Sequence, residues 1–136
     1  MKKIEHIGIA VKNIEAANTV FAKLLGKEHY KIETVEREGV TTSFFMLGET
    51  KIELLEAQHE NSAIAKFINK RGEGMHHIAF TVDDITAEMK RLEQEGFVLL
   101  NKEPLSGADN KLICFLHPKS TNGVLVELCQ EKGKLV

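Results

Sequence analysis

The chain reads as an α+β protein: two tandem βαβββ modules forming a half-barrel cup of mixed β-sheet, with helices outside. Three observations predict this. The stretch Ile4-Glu5-His6-Ile7-Gly8-Ile9-Ala10-Val11 returns in altered form as Met75-His76-His77-Ile78-Ala79-Phe80-Thr81-Val82. Laying His6 on His77 also lays Val11 on Val82 and Ile14 on Ile85. After each of these strands the apolar spacing changes to the helical period, then back to the alternation of strands. Two four-stranded sheets, each with a helix on one face, keep their other faces for a concave surface.

The first strand, Lys3 to Val11, carries Ile7, Ile9 and Val11 on one face and His6, Gly8 and Ala10 on the other. The bulky face suits packing under a helix; the small face leaves room beside an imidazole. Asn13 can cap the next helix. There Ile14, Ala17, Phe21, Leu24 and Leu25 recur at helical spacing, and Gly26 supplies the stop. Residues 29–37 read as a strand, Gly39 as a turn and Val40 to Leu47 as the next strand. Gly48-Glu49 turns the chain into a fourth strand, Lys51 to Leu55.

This first module covers about 1–58. A connector helix follows at about 60–70, with Asn61-Ser62 as its cap and Ile64, Phe67 and Ile68 on one side. The second module covers about 72–133. It repeats the order with a strand at His77–Val82 and a helix capped by Asp83-Asp84 and closed by Gly96. Strands are then expected at Val98–Leu100, Lys111–Leu116 and Val124–Leu128. Glu53 and Glu127 hold the same place in their modules. His6 to Glu53 spans 47 positions and His77 to Glu127 spans 50, the longer hairpin Pro118 to Gly123 taking up the difference. The surplus is located by treating Phe45 and Phe115 as counterparts.

At 136 residues the chain fits one domain, and 43% hydrophobic with 28% charged residues is ordinary globular composition. A net charge of −2 gives no basic field for nucleic acid. No apolar run is long enough to span a membrane, and Met-Lys-Lys is not followed by a signal-peptide core. Cys114 and Cys129 match no zinc spacing and read as buried small residues of a reducing compartment. A cytoplasmic location is expected.

The four repeated polar residues carry the chemistry. The neighbours of each Glu, Ile52 and Leu54 or Val126 and Leu128, point the opposite way from it. If they pack under the helices, the carboxylates face the cup with the imidazoles. A carboxylate in such surroundings is costly to bury unless its charge is compensated. Two carboxylates and two neutral imidazoles converging on one point fit a divalent metal with nitrogen and oxygen ligands. Taken singly, each of these residues has an ordinary structural explanation; the joint repetition of His6, Glu53, His77 and Glu127 does not. His76 faces away from His77 and reads as structural or as a support for the ligands, His117 as a turn residue and Cys129 as a packed thiol.

At these residues the sequence resembles the methylmalonyl-CoA epimerase family within the vicinal oxygen chelate superfamily. The segments that carry the resemblance are HIGIAV at 6–11, TKIELLE at 50–56, GEGMHHIAF at 72–80 and FLHPKSTNGVLVEL at 115–128. The first is shared with glyoxalases and dioxygenases. The last is more specific, because those relatives usually carry an Asp-Pro-Asp-Gly type of turn there. The resemblance implies the vicinal oxygen chelate fold, with His6, Glu53, His77 and Glu127 as metal ligands. Some relatives have Gln at the place of Glu53.

The implied reaction is interconversion of (R)- and (S)-methylmalonyl-CoA, a step of propionate metabolism, through an enolate formed by α-proton abstraction. Glu127 is the candidate for one acid/base group. Some relatives carry a Glu near Thr42, and a threonine cannot be that base at neutral pH; another Glu and a metal-bound water are both open. The implied cofactor is a divalent ion, with Co²⁺ placed first and Mn²⁺, Ni²⁺, Zn²⁺ or Fe²⁺ as alternatives. The implied partners are an acyl-CoA substrate and a second copy in a homodimer, with neither nucleic acid nor membrane. Lys70, Arg71 and Lys119 are candidates for the nucleotide's phosphates. A glyoxalase I-like lactoylglutathione lyase would use the same ligands and α-proton chemistry, and a metal-free small-molecule binding protein would share the fold.

Overall fold

Asn13 and Asp84 start the two long helices of the molecule in the same way. Asn13 Oδ1 accepts from the Ala16 amide at 2.8 Å, and Asp84 Oδ1 accepts from the Ala87 amide at 3.0 Å. Each side chain satisfies a donor that the first helical turn leaves without a partner. A second cap repeats as well. The Ile14 amide donates to Glu56 Oε2 at 3.0 Å, and the Ile85 amide donates to Gln130 Oε1 at 2.7 Å. Glu56 and Gln130 each lie three residues past the Glu of their module.

The computed structural model describes residues 1–133. In chain order the elements are β1 (Lys3–Ala10), α1 (Ile14–Leu25), β2 (Lys31–Val35), β3 (Val40–Leu47), β4 (Thr50–Ala57), α2 (Ala63–Arg71), β5 (Gly74–Thr81), α3 (Ile85–Gln94), β6 (Leu105–Gly107), β7 (Lys111–Leu116) and β8 (Val126–Glu131). Short 3₁₀ turns lie at Glu36–Glu38 and Pro118–Ser120. The chain divides into two compact units: His6–His76, and Met1–Glu5 together with the residues from His77 onward. The first unit has strand order β2-β3-β4-β1 and the second β5-β8-β7-β6. In each, the strand bearing the His runs parallel to the strand bearing the Glu, and the remaining pairings are antiparallel.

One face of each sheet is covered by its helix. Val11, Phe45 and Leu54 form a buried cluster with Ile9 and Ile52 against Ala17, Phe21 and Leu25 of α1. Leu116, Val126 and Leu128 pack with Ile85, Met89 and Leu92 of α3. The alternation read from the sequence is therefore the alternation of the sheet. α2 belongs to the first unit and lies on the opposite face, where Ile64, Phe67 and Ile68 cover one end of it at Ala10, Val40 and Leu55. Gly26, at φ 73°, ends α1 in a left-handed cap, its amide donating to the Ala22 carbonyl. No helix among the described residues is long and apolar enough to cross a membrane.

Four details differ from the expectation. Leu24 is 70% exposed, so the buried stripe of α1 is narrower than its apolar residues suggest. The strand expected over 29–37 is shorter, because Glu36–Glu38 coil into a 3₁₀ turn before Gly39. The strand expected at Val98–Leu100 is reduced to one bridge, Leu99 to Leu116, and the regular pairing with β7 is made by Leu105–Gly107. Between them Asn101 donates to the Glu103 carbonyl and accepts from the Phe115 amide, while Pro104 has no amide to give. A side chain thus takes a ladder position and the strand restarts beyond it. Last, the counterpart of Phe115 is Phe44 and not Phe45: Phe44 stands opposite Glu53 as Phe115 stands opposite Glu127.

Phe45 is fully buried beneath α1. Its replacement by Ala is expected to cost about 3–5 kcal/mol of unfolding free energy, read as a lower urea midpoint. A midpoint within error of the parent would show that the α1 layer does not carry the core.

Candidate metal centre

On the face away from α1, the register of the first unit sets side chains in rows across the strands. Parallel pairing places Gly8 beside Glu53 and His6 beside Lys51. Gly8 presents no side chain beside the Glu53 carboxylate. His6 Nδ1 lies 3.2 Å from Glu53 Oε2, with both residues buried. The second unit repeats the design. Ala79 stands beside Glu127, and His77 Nε2 lies 2.9 Å from Glu127 Oε1, again buried. The Phe115 ring meets the His77 ring edge-on, with centroids 5.9 Å apart, and fixes its plane.

Each unit therefore holds one imidazole against one carboxylate out of water. An ionised carboxylate left there alone would cost several kcal/mol. An imidazole nitrogen beside it compensates only as a donor, so a cation binding to both is the chemistry these donors suit. Imidazole nitrogens and carboxylate oxygens are donors that a divalent ion takes.

The other singled-out residues fall into ordinary places. The His76 ring lies edge-on to Phe67 of α2, with centroids 4.9 Å apart, and holds the connector helix. His117 caps the turn before β8, its Nδ1 accepting from the Lys119 amide at 3.0 Å. Cys129 packs with Ala79, Ile113 and Phe115. The Arg71 guanidinium lies 5.8 Å from the Phe67 ring centroid. Sequence reading missed Lys51, which is buried on the face of Glu53. The period of two that placed Glu53 would have placed Lys51 beside it.

The residues from 5 to 115 match the model of the glyoxalase/bleomycin resistance protein/dioxygenase superfamily. The chain belongs to that superfamily. Within it, the similarity runs to methylmalonyl-CoA epimerases. The ethylmalonyl-CoA/methylmalonyl-CoA epimerase of Cereibacter sphaeroides is 44% identical over 130 residues, which are 94% of this chain and 97% of that protein. The mitochondrial methylmalonyl-CoA epimerase of Homo sapiens is 39% identical over 94% of this chain and 73% of its own length. The solved structure of Streptomyces coelicolor methylmalonyl-CoA epimerase in complex with 2-nitronate-propionyl-CoA superposes with a TM-score of 0.93 at 34% identity, covering 98% of this chain and 96% of that one. The fold is accordingly the vicinal oxygen chelate fold.

Burial pushes the Cys114 thiol up to about 11, so it is protonated at neutral pH, and Cys129 is buried too. In the native protein at pH 8, neither thiol is expected to react with Ellman's reagent within minutes, and both should react after denaturation. Rapid labelling of the folded chain would contradict this packing.

Proposed function

We propose that this protein interconverts (R)- and (S)-methylmalonyl-CoA, with one divalent ion held by His6, Glu53, His77 and Glu127. One observation carries the reading: each half of a duplicated fold buries a His beside a Glu at the same register position. The likeness to methylmalonyl-CoA epimerases over nearly the whole chain supports the substrate class, a small acyl-CoA. Two imidazole nitrogens and two carboxylate oxygens suit Co²⁺, Mn²⁺, Ni²⁺, Zn²⁺ or Fe²⁺ alike, and Co²⁺ is placed first by the resemblance to the epimerases. When bound, the ion supplies Lewis acidity toward the substrate's thioester and carboxylate oxygens.

The chain's own residues do the rest. Glu127 takes the α-proton: the C2–H pair of electrons passes into an enolate, and the proton comes to rest on the carboxylate. Inversion then needs a proton returned to the other face of C2. The apolar residues around the two pairs, Phe44 and Phe115 among them, keep bulk water from that carbon and strengthen every charge interaction beside it. A homodimeric assembly fits the resemblance to the epimerases, and a cytoplasmic location fits the two free cysteines.

Protein loaded with Co²⁺ is expected to exchange the C2 hydrogen of methylmalonyl-CoA for deuterium from D₂O and to racemise it. It should leave the hemithioacetal of glutathione and methylglyoxal unchanged. Absence of exchange in metal-loaded protein would refute the epimerase reading, and turnover of the hemithioacetal alone would favour a lyase. Replacing His77 by Ala should weaken Co²⁺ binding in a chelator competition by more than about 100-fold, since even changes to groups behind a ligand cost 10- to 100-fold. Unchanged affinity would remove His77 from the ligand set.

A further inference from the structure

Among the described residues the buried lysines are Lys51 and Lys111. Lys111 is matched inside the second unit. Its Nζ lies 3.3 Å from Glu131 Oε1 and 3.9 Å from Oε2 of Glu5, the buried carboxylate that precedes His6 in the chain. Lys51 belongs to the first unit and is 7% exposed. It pairs in register with His6 of β1 and with Met46 of β3, and it stands two residues before Glu53 on β4. Ile52 and Leu54 turn the other way, into the layer under α1, so Lys51 and Glu53 share one face of the strand. Lys31 is the strand lysine at the far edge of that face, 38% exposed, 3.6 Å from Glu33 Oε1 and 4.6 Å from the Phe44 ring centroid.

The second module supplies the comparison. Its Glu127 is buried beside His77 as Glu53 is beside His6, yet the residue two places before Glu127 is Leu125. A buried His–Glu pair is therefore built without a lysine at that place, and the pair alone does not account for Lys51. Taking a lysine's charge out of water is costly unless an anion meets it. The substrate of the proposed reaction brings an anion, because the carbon that loses its proton also carries a free carboxylate.

From this we infer that Lys51 binds that carboxylate and makes the site select 2-carboxyacyl-CoA thioesters over neutral acyl-CoA thioesters. The inference rests on the function proposed above. Strand spacing puts the Lys51 Cα about 5 Å from that of His6 and about 7 Å from that of Glu53, within the reach of a lysine stem. A carboxylate offers two oxygens. One can face the donors of His6 and Glu53 while the other accepts from Lys51 Nζ. Met46, opposite Lys51 in register, gives the methylenes of the stem an apolar neighbour. Lys51 takes no proton in this role; it holds and orients the malonyl half.

The test is Lys51→Met, loaded with Co²⁺ and titrated calorimetrically with malonyl-CoA and with propionyl-CoA, which differ by a carboxylate in place of a methyl group. Malonyl-CoA should bind the variant about 10- to 100-fold more weakly than the parent, the span expected for one charge-assisted hydrogen bond. Propionyl-CoA should bind both alike. Lys51→Arg, which keeps the charge, should recover part of the loss, and Co²⁺ affinity measured without thioester should not fall. Parent-like affinity for malonyl-CoA would overturn the assignment. Equal weakening of both thioesters, or a loss of Co²⁺ affinity, would overturn it as well, because a purely structural role predicts those. If Lys51→Met does not fold, Lys51→Gln carries the same comparison. A parent that neither epimerises methylmalonyl-CoA nor prefers malonyl-CoA to propionyl-CoA would refute the epimerase reading and the role of Lys51 with it. A parent that epimerises, with a variant that keeps the preference, would refute the role of Lys51 alone.

Discussion

A carboxylate kept from water beside an imidazole, once in each half of the chain, is the constraint to which the remaining structure answers. Neither Glu53 nor Glu127 could be buried by packing alone, because a lone ionised carboxylate in apolar surroundings costs more than its methylenes return. Each is set on a strand whose flanking residues anchor the opposite face under a helix. The small residues Gly8 and Ala79 open the space alongside. Helix, strand and site are thus one arrangement: the helix fixes which way the strand faces, and the strand's alternation turns the acid toward the imidazole.

Duplication makes that arrangement strict. The acid's strand also closes the start of the helix, through Glu56 in one module and Gln130 in the other, each three residues past the site Glu. A shift of register by one residue would turn the carboxylate to the helix side and remove this cap together. Features that need both ends of a strand at once are kept in both modules. Where the modules differ, at Thr42 and Glu33 against Ile113 and Leu105, no such double demand applies.

Much of this is legible in the residues alone, for a physical reason. Strand alternation and helix caps are local, so the sequence by itself sets His6, Glu53, His77 and Glu127 on one face of their strands. It likewise marks Asn13, Ser62 and Asp84 as helix starts. What depends on pairing between strands is not legible in the same way. The 3₁₀ turn at Glu36–Glu38 shortens β2 and sets its register on β3, and only that register brings Glu33 opposite Thr42. Asn101 takes a place on the edge of β7 that a run of apolar residues suggested for a strand. Phe44 and Phe45 look alike in sequence, yet one faces the site and the other lies under α1.

The claim at the centre, that one cation is gripped jointly by both halves, is most directly tested by anomalous diffraction at the cobalt edge from crystals grown with Co²⁺. The account predicts a single strong peak with a nitrogen of His6, a nitrogen of His77, an oxygen of Glu53 and an oxygen of Glu127 each at about 2.0–2.2 Å. A peak bound by other residues, or no peak from fully loaded protein, would contradict it.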